Sequence, residues 1–317
     1  MTMLTCREET DIRDAFFDAV YETAAKDKNV VFMTADADAF SLRKYKKDFP
    51  VRFINVGVAE QNMVCAAAGL AICDKKVFIY SIIPFLTMRC YEQIKVVICG
   101  MNLPVVIVGA GAGLSFGNDG PTHHAVFDIA VMRILPEITI LNPCDSWTAS
   151  ACAKQAYEGK GPVYVRLDKG KLPPLYDDAD NIKAGFKVLR SVTDINIIST
   201  GFMSHKALEV ANELEKHSVN VGVIDLLRLK PVDADALLTL IDRSTRLITL
   251  EENSIVGGLG TIISEILCDN GKHIRLKRIA LEDKQHFDYG SRDWLHRYYG
   301  LDTAGIRLFM ETSQCRR

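Results

Sequence analysis

The chain has no excess of charge of either sign. Its 317 residues carry 38 Lys and Arg against 40 Asp and Glu, a formal net charge of −2. That balance supplies no basic stripe for a nucleic acid and no acidic or basic tail. A small phosphorylated substrate is compatible with it. There is no CxxC pair among the nine cysteines, and Cys65, Cys73 and Cys99 lie in apolar runs. They read as reduced core thiols of a cytoplasmic protein, with no structural zinc. Met1–Asp18 is polar, with Glu8, Glu9, Asp11 and Arg13, so it is not expected to be a signal peptide. No low-complexity tract or solenoid-length repeat is present. The one long uncharged stretch, Val96–Asn118, is broken by Gly100, Asn102, Pro104 and further glycines. It reads as a buried strand between turns rather than a membrane span.

What is present is an alternation of short apolar runs with helical patterns. Hydrophobic residues make up 48% of the chain, enough for a packed core and too many for disorder. Strands are expected at Val30–Thr34, Val77–Tyr80, Val105–Gly109, Ile138–Leu141 and Val163–Leu167. Helices are expected near Glu9–Lys26, Glu60–Ile72, Thr87–Cys99 and Asp145–Glu158. The strands are continuously apolar, which implies parallel sheets covered on both faces. After a Pro- and Asp-rich break the alternation resumes. Strands are expected at Ile195–Ser199, Asn220–Ile224, Arg246–Leu250 and Arg275–Ile279, and helices near Met203–His217, Asp233–Ile241 and Thr261–Cys268. The fold class is thus α/β, with two three-layer domains and mainly parallel sheets, at residues 1–172 and 189–317 joined by a linker at 173–188.

Two segments could carry chemistry. In FINVGVAEQN, Glu60 follows a strand-like run and opens a helix of small residues. A carboxylate there either favours the helix N-terminus by ~0.3–1 kcal/mol or serves a ligand at a strand–helix junction. In GAGAGLSFGNDGPTHHAVFD, Asp119, His123 and His124 sit on a glycine-dense loop after a strand. Glycines let a backbone approach a ligand closely. The loop lacks the GK[ST] of a phosphate loop. A metal site from Asp119 and the two histidines is conceivable, but adjacent side chains usually point apart, so only one histidine would join Asp119 and a further ligand is not evident.

Taken in order, VGVAEQNMVCAAAGLA, PFLTMRCYEQI, GNDGPTHHAVFDIAVMRILPEITILNPCD and GPVYVRLDKGKLP resemble the pyrimidine-binding domain of the transketolase family. TGFMSHKALEVANELE, IDLLRLKPVD, EENSIVGGLG and YGSRDWLHRYYGLD resemble its C-terminal domain. The resemblance implies thiamine diphosphate chemistry, with Glu60 hydrogen-bonded to the aminopyrimidine ring and Phe85 and Ile82 lining its pocket. Phe85 equally fits plain core packing. By the same resemblance His123 is catalytic, and Asp119, His123 and His124 bind the donor sugar. Lys169, or the nearby Arg166, faces the sugar phosphate. Two departures stand out: Lys169 replaces a common arginine, and Gly111 replaces a common histidine. A GDG segment for Mg²⁺ and diphosphate is missing. The resemblance therefore implies the C-terminal subunit of a split transketolase, with an N-terminal subunit as partner, in an α2β2 assembly or as a homodimer awaiting that partner. A deoxyxylulose-phosphate-synthase-like enzyme, a 2-oxoacid dehydrogenase β-type subunit and a non-catalytic assembly subunit remain as alternatives. His205, His217, His273, His286 and His296 are expected to be structural or surface residues.

Overall fold

Strands that are apolar on both faces can be buried only inside a helix-covered sheet, and the chain builds two such sheets. The computed structural model describes residues 10–176 and 179–312. Glu9, expected to open the first helix, lies outside the described residues. In the first unit the strands are β1 (Val30–Thr34), β2 (Phe53–Asn55), β3 (Lys76–Ile82), β4 (Val105–Ala110), β5 (Thr139–Leu141) and β6 (Val163–Leu167). Its helices are α1 (Ile12–Lys26), α2 (Leu42–Asp48), α3 (Glu60–Ile72), α4 (Ile83–Thr87), α5 (Tyr91–Gln93), α6 (Asp128–Arg133) and α7 (Ser146–Glu158). The second unit holds β7 (Phe186–Arg190), β8 (Ile195–Ser199), β9 (Gly222–Leu226), β10 (Arg228–Lys230), β11 (Arg246–Ser254) and β12 (Arg275–Leu281). With them run α8 (Met203–Glu215), α9 (Ala234–Leu240), α10 (Leu259–Asp269), α11 (Arg292–Tyr299) and α12 (Thr303–Thr312).

The first sheet has the order β10-β5-β6-β4-β3-β1-β2 and the second β12-β11-β8-β9-β7. All pairings are parallel except β10 with β5 and β7 with β9, so antiparallel strands close one edge of each sheet. α1 and α7 pack on one face of the first sheet through Phe16, Phe17, Cys152 and Ala153. On the other face α3 and α6 share a core with α9 and α10 of the second unit. The units are thus joined through a common apolar layer as well as through β10.

Several expectations need correction. The single helix expected at Thr87–Cys99 starts earlier, at Ile83, because Pro84 suits a first helical turn. It breaks at Met88–Cys90 and resumes as α5 and a π-helical stretch, Ile94–Cys99. β7 begins inside the segment expected to be linker. Cys99 is buried, but Cys65 and Cys73 are exposed: Cys65 lies on the face of α3 that the chain itself leaves uncovered, and Cys73 caps the end of that helix. The uncharged stretch around Val105–Ala110 is a buried strand, and among the described residues no helix is long and apolar enough to cross a membrane.

Candidate active site

In a parallel sheet the strand carboxyl ends open toward one side, where loops collect ligands. The residues singled out from the sequence gather there. Glu60 follows β2, Ile82 ends β3 and Phe85 follows it, the glycine loop follows β4, and Lys169 follows β6.

Glu60 is the first residue of α3, behind Ala59, which offers no side-chain cap. Its carboxylate is 3% exposed, and Oε1 accepts a 2.9 Å hydrogen bond from Nη1 of Arg89. Oε2 has no hydrogen bond among the described residues. The Arg89 side chain is 44% exposed, and its guanidinium lies over the Phe85 ring at 4.4 Å. The edge of His123 meets Phe85 with ring centroids 5.0 Å apart. Glu60, Phe85 and His123 therefore lie along one run of contacts, the candidate cleft, with Arg89 linking the first two. Ile82 is half-buried at the turn from β3 into α4.

On the loop, Asp119 ends a short 3₁₀ turn, Gly117–Asp119, and is exposed. Nδ1 of His123 is 3.0 Å from the Thr122 hydroxyl. His124 points elsewhere. It is buried near the backbones of Gly117 and His286, neither ring nitrogen has a hydrogen-bond partner among the described residues, and burial lowers its pKa. The adjacent histidines thus do not converge, and among the described residues no group of three His, Cys, Asp or Glu could hold a metal ion. The loop's glycines make room for the chain itself as well as for any ligand. At Gly120, φ is +77° and a Cβ would lie 2.0 Å from the Tyr289 ring. Lys169 is exposed, with Nζ 4.9 Å from the centre of the Phe116 ring.

Residues 8–174 match the family described as Transketolase, pyrimidine binding domain, and residues 185–306 match Transketolase, C-terminal domain. The chain belongs to the transketolase family. It is 34% identical over 307 residues to a subunit of the apulose-4-phosphate transketolase of Phocaeicola vulgatus, covering 96% of each chain. It is 33% identical to 1-deoxy-D-xylulose-5-phosphate synthase of Clostridium tetani, across 92% of this chain but 47% of that one. A solved structure described as a split gene transketolase, inactive beta4 tetramer, superposes with TM-score 0.83 at 30% identity, over 95% of this chain and 97% of the other. This transketolase-family chain thus corresponds to the C-terminal half of a split transketolase.

Arg166, the alternative phosphate ligand, is taken up elsewhere. Alternation along β6 turns it to the sheet face under α6, where it is 4% exposed. Nε donates to Asp128 at 2.7 Å, and Nη2 donates to the Ala125 carbonyl and Asn253 Oδ1. The Tyr164 hydroxyl also donates to Asp128. This knot ties the glycine-loop end of the first unit to β11 of the second.

A second knot carries no counterpart among the expected site residues. Arg292 on α11 donates to both oxygens of Asp168 at 2.9 and 2.8 Å, donates to Glu252, and stacks on Phe202 at 3.6 Å. His296, one turn further on, bonds the same Glu252. Burial alone would raise the Glu252 pKa, but Arg292 and His296 hold it well below the usual range. Asp168 adjoins Lys169, so α11 braces the strand end that carries the candidate phosphate ligand. The paired glutamates ending an apolar run in LITLEENS were the available sequence signal. Arg89 was not singled out, because it sits in the break after α4 rather than at a helical spacing from Phe85.

Proposed function

We propose that this chain is the C-terminal subunit of a split transketolase that moves a two-carbon ketol unit from a ketose phosphate to an aldose, using thiamine diphosphate. The reading rests on the buried Glu60 carboxylate, the Phe85 ring face and the His123 imidazole meeting in one cleft. Arg89 supports the fit of the cofactor's aminopyrimidine. This flat, N–H-bearing cation already hydrogen-bonds Glu60 and lies on Phe85, as such a ring would. When bound, thiamine diphosphate supplies an electron sink for the carbon–carbon bond that breaks.

The chain's own residues then have separable tasks. Glu60 holds a ring proton, either on Oε2 or on Oε1 after Arg89 releases it. His123, its Nδ1 engaged by Thr122, keeps Nε2 for a donor hydroxyl or its proton. Asp119 accepts from hydroxyls at the open side of the cleft. Lys169 neutralises a terminal phosphate as a point charge without a bidentate fork. Ile82 and Phe85 exclude water from the ring. No sugar contact is assigned to His124, given its burial on the other side of the loop.

A partner chain is proposed to supply Mg²⁺ and the diphosphate site. Two likenesses support that division: one to a protein that is itself a subunit of a transketolase, the other to a split gene transketolase solved as an inactive beta4 tetramer. Exposed apolar residues around α3 and the π-helical stretch, Ile72, Met88, Val96 and Met101, support intersubunit contacts of an α2β2 kind. The described cysteines are all free thiols, which supports a cytoplasmic location.

The test is ketol transfer from xylulose 5-phosphate to ribose 5-phosphate with thiamine diphosphate and Mg²⁺, with the pure chain and with its co-purified partner. Turnover only in the complex is expected. Full turnover by the pure chain would remove the need for a partner. A second reading, a pyruvate-consuming synthase, is favoured by the likeness to the Clostridium tetani protein. CO₂ release from pyruvate in the same complex, without ketol transfer, would put it first.

A further inference from the structure

Gly111 opens the loop after β4 with φ +92°, and a Cβ built there would lie 2.1 Å from Cδ2 and 2.3 Å from Cε2 of Phe116. Position 111 is therefore bare, and the Phe116 ring fills the space a side chain would take. The same half-buried ring, packed against the core beneath it, also meets two polar side chains of the site. Lys169 Nζ stands 4.9 Å from its centre, and the His123 ring meets it at 6.2 Å with planes inclined by 68°. His123 in turn contacts Phe85 beside Glu60. One aromatic ring thus lies between the imidazole at the reacting end of the cleft and the cation at its far end.

We propose that Phe116 is a positioning residue that sets specificity for the terminal anion of the donor, an inference that rests on the transketolase reading above. Its face holds the Lys169 ammonium, which exposed and unsupported would sample many rotamers. Its edge fixes His123 relative to that cation. By filling position 111 it also leaves no room for a second polar side chain against the anion there. The far end of the donor is therefore read by one cation on an aromatic floor, a site that measures charge and its distance from the ketol carbons. The ligand class is a ketose bearing one terminal oxyanion.

The experiment uses the complex with the partner chain and compares two donors, xylulose 5-phosphate and unphosphorylated xylulose. Phe116→Leu keeps an apolar side chain but removes the ring. It should raise the KM for the phosphorylated donor about threefold to tenfold relative to that for xylulose, the size expected for losing a cation–π support. Phe116→Tyr, which keeps the ring, should retain the wild-type KM ratio. Lys169→Met should cost more in the wild-type background than in Phe116→Leu, because the two residues act as one unit. Phe116→Met carries the same comparison with more of the volume retained if the leucine variant does not assemble. Equal KM changes for both donors, Tyr behaving as Leu, or additive effects with Lys169→Met would overturn the proposal. A wild-type complex that transfers no ketol unit from either donor overturns the transketolase reading itself, and this is seen before any variant is made.

Discussion

Two buried carboxylates, Glu60 in the cleft and Glu252 at the junction of the two units, are nearly equally shielded from water, yet they are built for opposite ends. Glu252 has both oxygens engaged, by Arg292 and His296, and its partner Arg292 is itself locked onto Asp168 and Phe202. Both oxygens are thus committed to structural partners. Glu60 has one bonded oxygen, one without a hydrogen bond among the described residues, and a partner, Arg89, whose side chain is 44% exposed and able to leave. A saturated buried charge fixes geometry, whereas one with spare hydrogen-bonding capacity can exchange partners during chemistry.

The sharpest way to break that contrast is to remove the cation from each pair. Arg292→Met strands two buried carboxylates, Asp168 and Glu252, and should destabilise the chain by about 3–5 kcal/mol in urea unfolding. A loss under 1 kcal/mol would mean the junction is not held by charge. The next effect concerns pH. Burial pushes the Asp225 carboxyl up to about 7, against opposing hydrogen bonds from Ser204 and Tyr176. A carboxyl whose pKa is higher folded than unfolded stabilises the fold fully below the unfolded value, and this contribution is lost as pH rises through the folded value. The urea midpoint of Asp225→Asn should therefore gain on wild type between about pH 4 and about pH 7, and the difference should level off above; a pH-independent difference would contradict the assignment. The smallest effect is expected at the cleft. Arg89→Ala removes the half-exposed side chain over Glu60 and lets water reach the carboxylate, so stability should change by no more than about 1 kcal/mol. A loss as large as that for Arg292→Met would make the cleft pair structural and erase the contrast.

Much of the framework was legible because buried parallel strands must be continuously apolar. β1, β6, β8 and α3 fall on the residues expected from the pattern. Elements with little apolar content escaped notice. α2, LRKYKKD, buries only Leu42 and Tyr45, and β10 is three residues long with a cation at each end. In the cleft, residue type and resemblance pointed to Glu60, Phe85 and His123, which do lie together. What sequence could not convey was who fills the space left by glycine. Phe116 approaches Gly111 from five residues further along the same loop, and Tyr289 approaches Gly120 from the other unit. Nor could one β-strand tell which face Arg166 would take, since β6 is buried on both sides and only Asp128 decides it.

The measurement that bears most directly on the central claim is turnover of the assembled complex carrying Glu60→Ala, at saturating thiamine diphosphate and Mg²⁺, with assembly and melting temperature followed in the same sample. Because Glu60 is assigned the proton on the cofactor ring, ketol transfer should fall by roughly 10²–10⁴-fold while the complex stays assembled. Turnover close to wild type would contradict that role and leave this chain as a scaffold for its partner.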